Sequence, residues 1–175
     1  HWLEEPFTHH DRVAYRNFAR QYPEIRLAGG ESAVNEEDAV ALMHEAHLRF
    51  LQIDAGCIGG LGPSRRLAIE AHAADCQFVN HTFTSDLALA ASLAPFADHE
   101  SHNLAEYPAE LRELGAAIAG RSISPDANGE IAIPDRPGIG VDVNTANLST
   151  YQRPVQITID NQILYQSPSI CEKPA

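Results

Sequence analysis

The chain is poor in several residue types, and each shortage closes off a class of protein. It has three cysteines in 175 residues, Cys57, Cys76 and Cys171. They are odd in number, widely spread and without a CxxC pair, so they form no disulfide framework and fit a reducing compartment. Basic residues are equally scarce: 12 Lys and Arg stand against 24 Asp and Glu, for a formal net charge of −12. With no basic stripe anywhere, binding to nucleic acid through its backbone is not expected. No apolar run approaches the ~20 residues of a membrane span. There is no low-complexity segment, no initiator methionine and no signal-peptide pattern, and the expected location is cytoplasmic. His1-Trp2-Leu3 reads as the tail of a strand already under way, so the chain is expected to be the C-terminal part of a larger protein.

What the chain does have is 44% hydrophobic residues, enough for a proper core. It also has a ladder of polar residues, each ending a short apolar run. Glu4 stands in WLEEP, Glu31 in RLAGGES, Asp54 in LQIDAGCIGG, His81 in QFVNHTF and Glu106 in NLAEYP. The rungs lie 27, 23, 27 and 25 residues apart, with a helix-like stretch in most intervals. One strand plus one helix per step is the rhythm of a (β/α) barrel, in which a polar residue at the C-terminal end of a strand reads as catalytic. The expected fold class is therefore α/β: a partial (β/α) TIM-type barrel, strands 4–8 of the eight, over residues 1–150. Residues 151–175 form a tail in which VQITID-NQ-ILYQ alternates like a hairpin turning near Asn161.

Local signals place helices between the rungs. Residues 9–22 carry apolar positions at helical spacing. Asn35 before Glu36, Glu37 and Asp38 is a helix start, Pro63 suits a first turn, and Ser85 can cap the next helix. A further apolar-striped helix is expected around residues 108–118. GCIGGLG lacks GxGxxG spacing and reads as a loop that passes close to the site, not as a dinucleotide fingerprint. His9-His10 and His44/His47 lack a third ligand at metal spacing and read as solvated or packing residues.

Chemistry concentrates on the ladder. Glu4 and Glu31, on adjacent strand ends, can share one ion, and carboxylate oxygens select Mg²⁺ or Mn²⁺ over Zn²⁺. Glu5, directly before Pro6, is the weaker ligand. Asp54 and His81 form a second pair, a carboxylate orienting an imidazole that acts as general base. Glu106, if protonated, can steady negative charge developing on a substrate oxygen. Asn80, Thr82 and Ser85 are weaker candidates for lining the same mouth.

WLEEP, AGGES, IDAGCIGGLG, VNHTF and LAEYP, in this order and spacing, resemble the mandelate racemase group of the enolase superfamily. IPDRPGIGVDVN resembles the stretch that follows the barrel there, and the hairpin tail resembles its return to a capping domain. The resemblance implies a Mg²⁺ enzyme that removes the proton alpha to a carboxylate and passes through an enediolate. It makes Glu4 and Glu31 the second and third metal ligands, Asp54 and His81 the base dyad, and Glu106 the acid on the enediolate. A sugar acid is the implied substrate and dehydration the favoured outcome. Racemisation or epimerisation of a 2-hydroxy acid, and a non-catalytic barrel remnant or binding module, are the alternatives. The first metal ligand, the lysine-bearing strand and the capping domain would lie upstream of His1. The complete protein is expected to be a homo-oligomer with no nucleic-acid or membrane partner.

Overall fold

Single side chains start most of the helices. Asp11 Oδ1 accepts the Ala14 N–H at 3.0 Å and opens α1 (Arg12–Gln21). Asn35 accepts from the Asp38 N–H at 2.8 Å and opens α2 (Glu36–Glu45), whose first turn holds three acids against the positive end of the helix dipole. Ser85 accepts from the Ala88 N–H at 3.2 Å and opens α4 (Asp86–Leu93). Between them, α3 (Leu61–Ala73) has no side-chain cap and follows Gly60, which stands at φ +106°. The computed structural model describes residues 1–98 and 100–168, so Cys171 and the end of the tail lie outside the described residues. Cys57 and Cys76 are free thiols.

Four short strands, β1 (Leu3–Glu4), β2 (Leu27–Gly29), β3 (Phe50–Ile53) and β4 (Gln77–Asn80), form one parallel sheet in chain order. Each is followed by its helix, so the chain contains four consecutive βα units of a (β/α) barrel. The register sets Glu4 opposite Ala28, Ala28 opposite Phe50, and Phe50 opposite Gln77. Side-chain alternation then divides the apolar residues between two faces. Leu27, Leu51, Ile53 and Phe78 turn to the helices and pack with Tyr15, Leu42, Met43, Leu67 and Ala71 in the main core. Ala28, Phe50 and Val79 turn the other way, where Trp2 and Leu104 pack against them. β2 and β3 are buried throughout, which explains why their sequences barely alternate.

A fifth strand is expected before Glu106, but the described residues show an extended segment there, not a ladder. Side chains replace the main-chain pairing. His102 Nδ1 accepts the Phe78 N–H at 3.0 Å, and Asn80 brackets Glu106, donating to its carbonyl at 2.9 Å and accepting its N–H at 3.0 Å. The expected helix around 108–118 begins later, as α5 (Glu113–Ala119). The Pro108 and Ala109 carbonyls are taken instead by the Arg121 guanidinium. A short helix α6 (Thr145–Leu148) precedes an antiparallel hairpin, β5 (Gln156–Ile159) with β6 (Gln162–Gln166). Its two turn residues, Asp160 and Asn161, stand at φ +48° and +63°, as a type I′ turn requires. Among the described residues no helix is long and apolar enough to cross a membrane.

Candidate active site

The parallel strands deliver polar residues to one end of the sheet. Glu4 closes β1, Glu31 follows β2 across Gly30, Asp54 follows β3 and His81 follows β4. Gly30 makes its turn at φ +116°, and a Cβ there would press on the Gln52 carbonyl at 2.9 Å, so only glycine fits. Its N–H reaches Glu5 Oε1 at 3.3 Å, which ties the Glu31 turn to β1. Glu5 itself stands at φ +33°, an uncommon conformation for a residue with a side chain, directly beside Glu4.

His81 is the centre of the cluster. Its Nδ1 lies 2.9 Å from Glu106 Oε2 and its Nε2 lies 3.0 Å from Glu31 Oε2. Phe83 meets the ring edge-on at 4.9 Å between centroids. The hydrogen bond that His81 donates to Glu106 raises the imidazole pKa above its ordinary value. Burial opposes this, and the charges of Glu106, Glu31 and Glu4 add to it. The Glu31 carboxyl is also raised, first by burial, with His81 pulling it down and Glu5, Glu4 and Glu106 pushing it up. One ligand atom each from Glu4, Glu31 and His81 lie within 4.8 Å of one another. Two carboxylates at that spacing suit a hard divalent cation.

The expected residues thus divide. Glu4, Glu31, His81 and Glu106 come together in one network, whereas Asp54 does not join it by a hydrogen bond. Asp54 leaves β3 beside His81, whose N–H bonds the Ile53 carbonyl at 2.9 Å, but its Oδ1 accepts the Gly56 and Cys57 N–H groups at 2.6 and 3.1 Å. Two N–H donors in its own loop hold the carboxylate, so the expected Asp54–His81 hydrogen bond is absent and Glu106 orients the imidazole instead. Glu106, expected as a donor to substrate, accepts from Gln52 Nε2 at 2.7 Å in this geometry. The weaker candidates have structural work: Asn80 brackets Glu106, Thr82 Oγ1 bonds Ser92 Oγ at 2.5 Å, and Ser85 caps α4.

Two residues outside the ladder complete the network. Gln52 Nε2 donates to Glu4 Oε2 at 2.8 Å as well as to Glu106, and the Trp2 indole N–H donates to the same Glu4 oxygen at 2.9 Å. The signal for Gln52 was available: a lone polar residue inside FLQI, two positions before Asp54 and therefore on the same face of the strand.

The Enolase C-terminal domain-like family model matches residues 1–147. D-gluconate dehydratase of Thermoproteus tenax is 28% identical over 175 residues, covering 93% of this chain and 33% of its own length. A solved structure described as a predicted mandelate racemase from Rhodobacter sphaeroides is 45% identical with a TM-score of 0.88, covering 95% of this chain and 43% of that one. The 3,6-anhydro-D-galactonate cycloisomerase of Zobellia galactanivorans is 27% identical with a TM-score of 0.75, covering 86% of this chain and 42% of that one. The chain therefore spans less than half the length of the relatives it matches. The matched residues take in all four βα units and every rung of the polar ladder, and the chain belongs to the enolase C-terminal domain-like family.

Proposed function

We propose that this chain carries part of the active site of a Mg²⁺-dependent enzyme that removes the proton alpha to a carboxylate, with dehydration of a sugar acid as the net reaction. The observation that carries the reading is His81 held between Glu31 and Glu106, at 3.0 and 2.9 Å, with Glu4 alongside. Glu4 and Glu31 would hold the ion, and Mn²⁺ meets the same oxygen donors. When bound, it supplies Lewis-acid charge at the substrate carboxylate.

The remaining work falls to the protein. With Nε2 released from Glu31, Glu106 at Nδ1 fixes the neutral tautomer of His81 with its lone pair on Nε2, and stabilises the imidazolium once that nitrogen has taken the alpha proton. The same proton is then available to a departing β-hydroxyl, which leaves as water. Asp54 shapes the loop beside this base and is proposed to orient it when Glu106 is engaged by substrate. The name of the Thermoproteus tenax relative, a D-gluconate dehydratase, supports the substrate class. Racemisation and cycloisomerisation share the first step and differ in product.

The test is alpha-proton exchange in D₂O, read by NMR, for the intact protein with Mg²⁺ against a panel of sugar acids. His81→Asn is expected to slow exchange by about 10²- to 10⁴-fold. Undiminished exchange in that variant overturns the reading. Exchange with inversion but without loss of water selects the racemase alternative.

A further inference from the structure

Gln52 is fully buried in the middle of β3, yet it is the only polar side chain of that strand and its Oε1 has no hydrogen-bond partner among the described residues. An orphaned buried acceptor costs about 1–3 kcal/mol, and a residue that retains one calls for an explanation. Its amide nitrogen supplies it. Nε2 lies 2.8 Å from Glu4 Oε2 and 2.7 Å from Glu106 Oε1, so its two protons serve two different carboxylates. The opposite amide orientation would set Oε1 against both anions, which fixes the assignment and leaves Oε1 without a partner. On the same face of the sheet, Ala28, Phe50 and Val79 are apolar and offer no alternative donor.

We infer that Gln52 is a positioning residue for the site, a neutral clamp that holds the Glu4 and Glu106 carboxylates in place across β3. The inference rests on the proposed metal and acid–base reading of those carboxylates. Gln52 and the Trp2 indole share Glu4 Oε2, which leaves Glu4 Oε1 as the oxygen free for an ion. On Glu106 it takes Oε1 and leaves Oε2 to His81. One side chain thereby sets both the presentation of a metal ligand and the orientation of the proton-moving imidazole. A charged donor in the same place would pair with the carboxylates and lower their negative charge toward a cation; an amide orients them without doing so.

The experiment compares wild type, Gln52→Met, Gln52→Glu and Glu31→Gln in the intact protein. Mg²⁺ affinity is read by titration calorimetry, the melting temperature in parallel, and kcat and KM on a sugar acid found in the exchange panel. Gln52→Met keeps the side-chain volume and removes both the clamp and the orphan acceptor. It is expected to weaken Mg²⁺ binding and lower kcat, each by about 10- to 100-fold, while the melting temperature stays within about 4 °C. A purely structural role predicts the reverse, a lower melting temperature with affinity and kcat intact. Gln52→Glu keeps the shape but exchanges the donor for an acceptor, and the same losses are expected. If both Gln52 variants retain affinity and kcat within twofold while Glu31→Gln loses Mg²⁺, the clamp is wrong and the metal reading stands. If Glu31→Gln retains Mg²⁺ affinity, the metal reading fails and the clamp fails with it.

Discussion

Cys76 shows how strongly burial tunes a side chain in this molecule. It sits in the main core, and burial pushes its thiol from 9.0 up to about 12, with Arg49 and a backbone hydrogen bond opposing. Because the folded pKa lies above the unfolded one, stability is undiminished below pH 9 and is lost as pH rises from 9 toward 12. The loss is at most about 1.4 kcal/mol per pH unit for one group. Cys76→Ala is therefore expected to flatten the decline of the urea midpoint between pH 9 and 10. Tyr15, also raised to about 12, starts from 10.0 and contributes only above that range. His81 shifts for a different reason, since a carboxylate partner raises it and desolvation opposes the rise. Its pairing stabilises most at pH below the ordinary imidazole value and fades as pH rises through the folded one.

At the scale of elements, Gly115 reverses a general rule. Inside a helix, glycine is about 1 kcal/mol worse than alanine. Here Gly115 lies buried in α5, and a Cβ would collide with the Thr84 carbonyl just ahead of α4. Gly115→Ala is expected to lower stability by about 1–3 kcal/mol, checked by urea unfolding. Helix starts and strand positions were legible in the sequence because their causes are local: Asn35, Ser85 and the Asp160-Asn161 turn each act within three residues. The partners of the ladder residues were not, because they depend on which donors lie nearest in three dimensions. Asp54 was assigned to His81 from strand adjacency, while two N–H groups of its own loop were nearer. The fifth strand was read from an apolar run, which does not reveal that Asn80 and His102 would substitute side chains for the ladder.

At the scale of the whole molecule, the sheet is open at β1, where Leu3 and Glu4 are both exposed. An open parallel edge leaves strand N–H and C=O groups unpaired, and a carboxylate exposed to water gives up little hydration to an ion. The 175-residue chain alone is therefore expected to bind Mg²⁺ weakly and to show no sugar-acid turnover. Calorimetry and a coupled dehydration assay check this, and measurable turnover by the isolated chain overturns it. The hairpin adds a second exposed region, with Ile157, Ile159, Ile163 and Leu164 each at least half exposed.

The Asn80 bracket bears on motion as well as on placement. A ladder opens only when several main-chain bonds break together, whereas the main-chain N–H and carbonyl of Glu106 are both held by one side-chain amide. Rotation of that single side chain releases both the N–H and the carbonyl of Glu106 while β3 and β4 stay zipped. In native-state hydrogen exchange the Glu106 amide is expected to exchange by a low-energy local opening, with those of Leu51 and Val79 waiting for global unfolding. Asn80→Ala should speed the first and leave the others unchanged in rank.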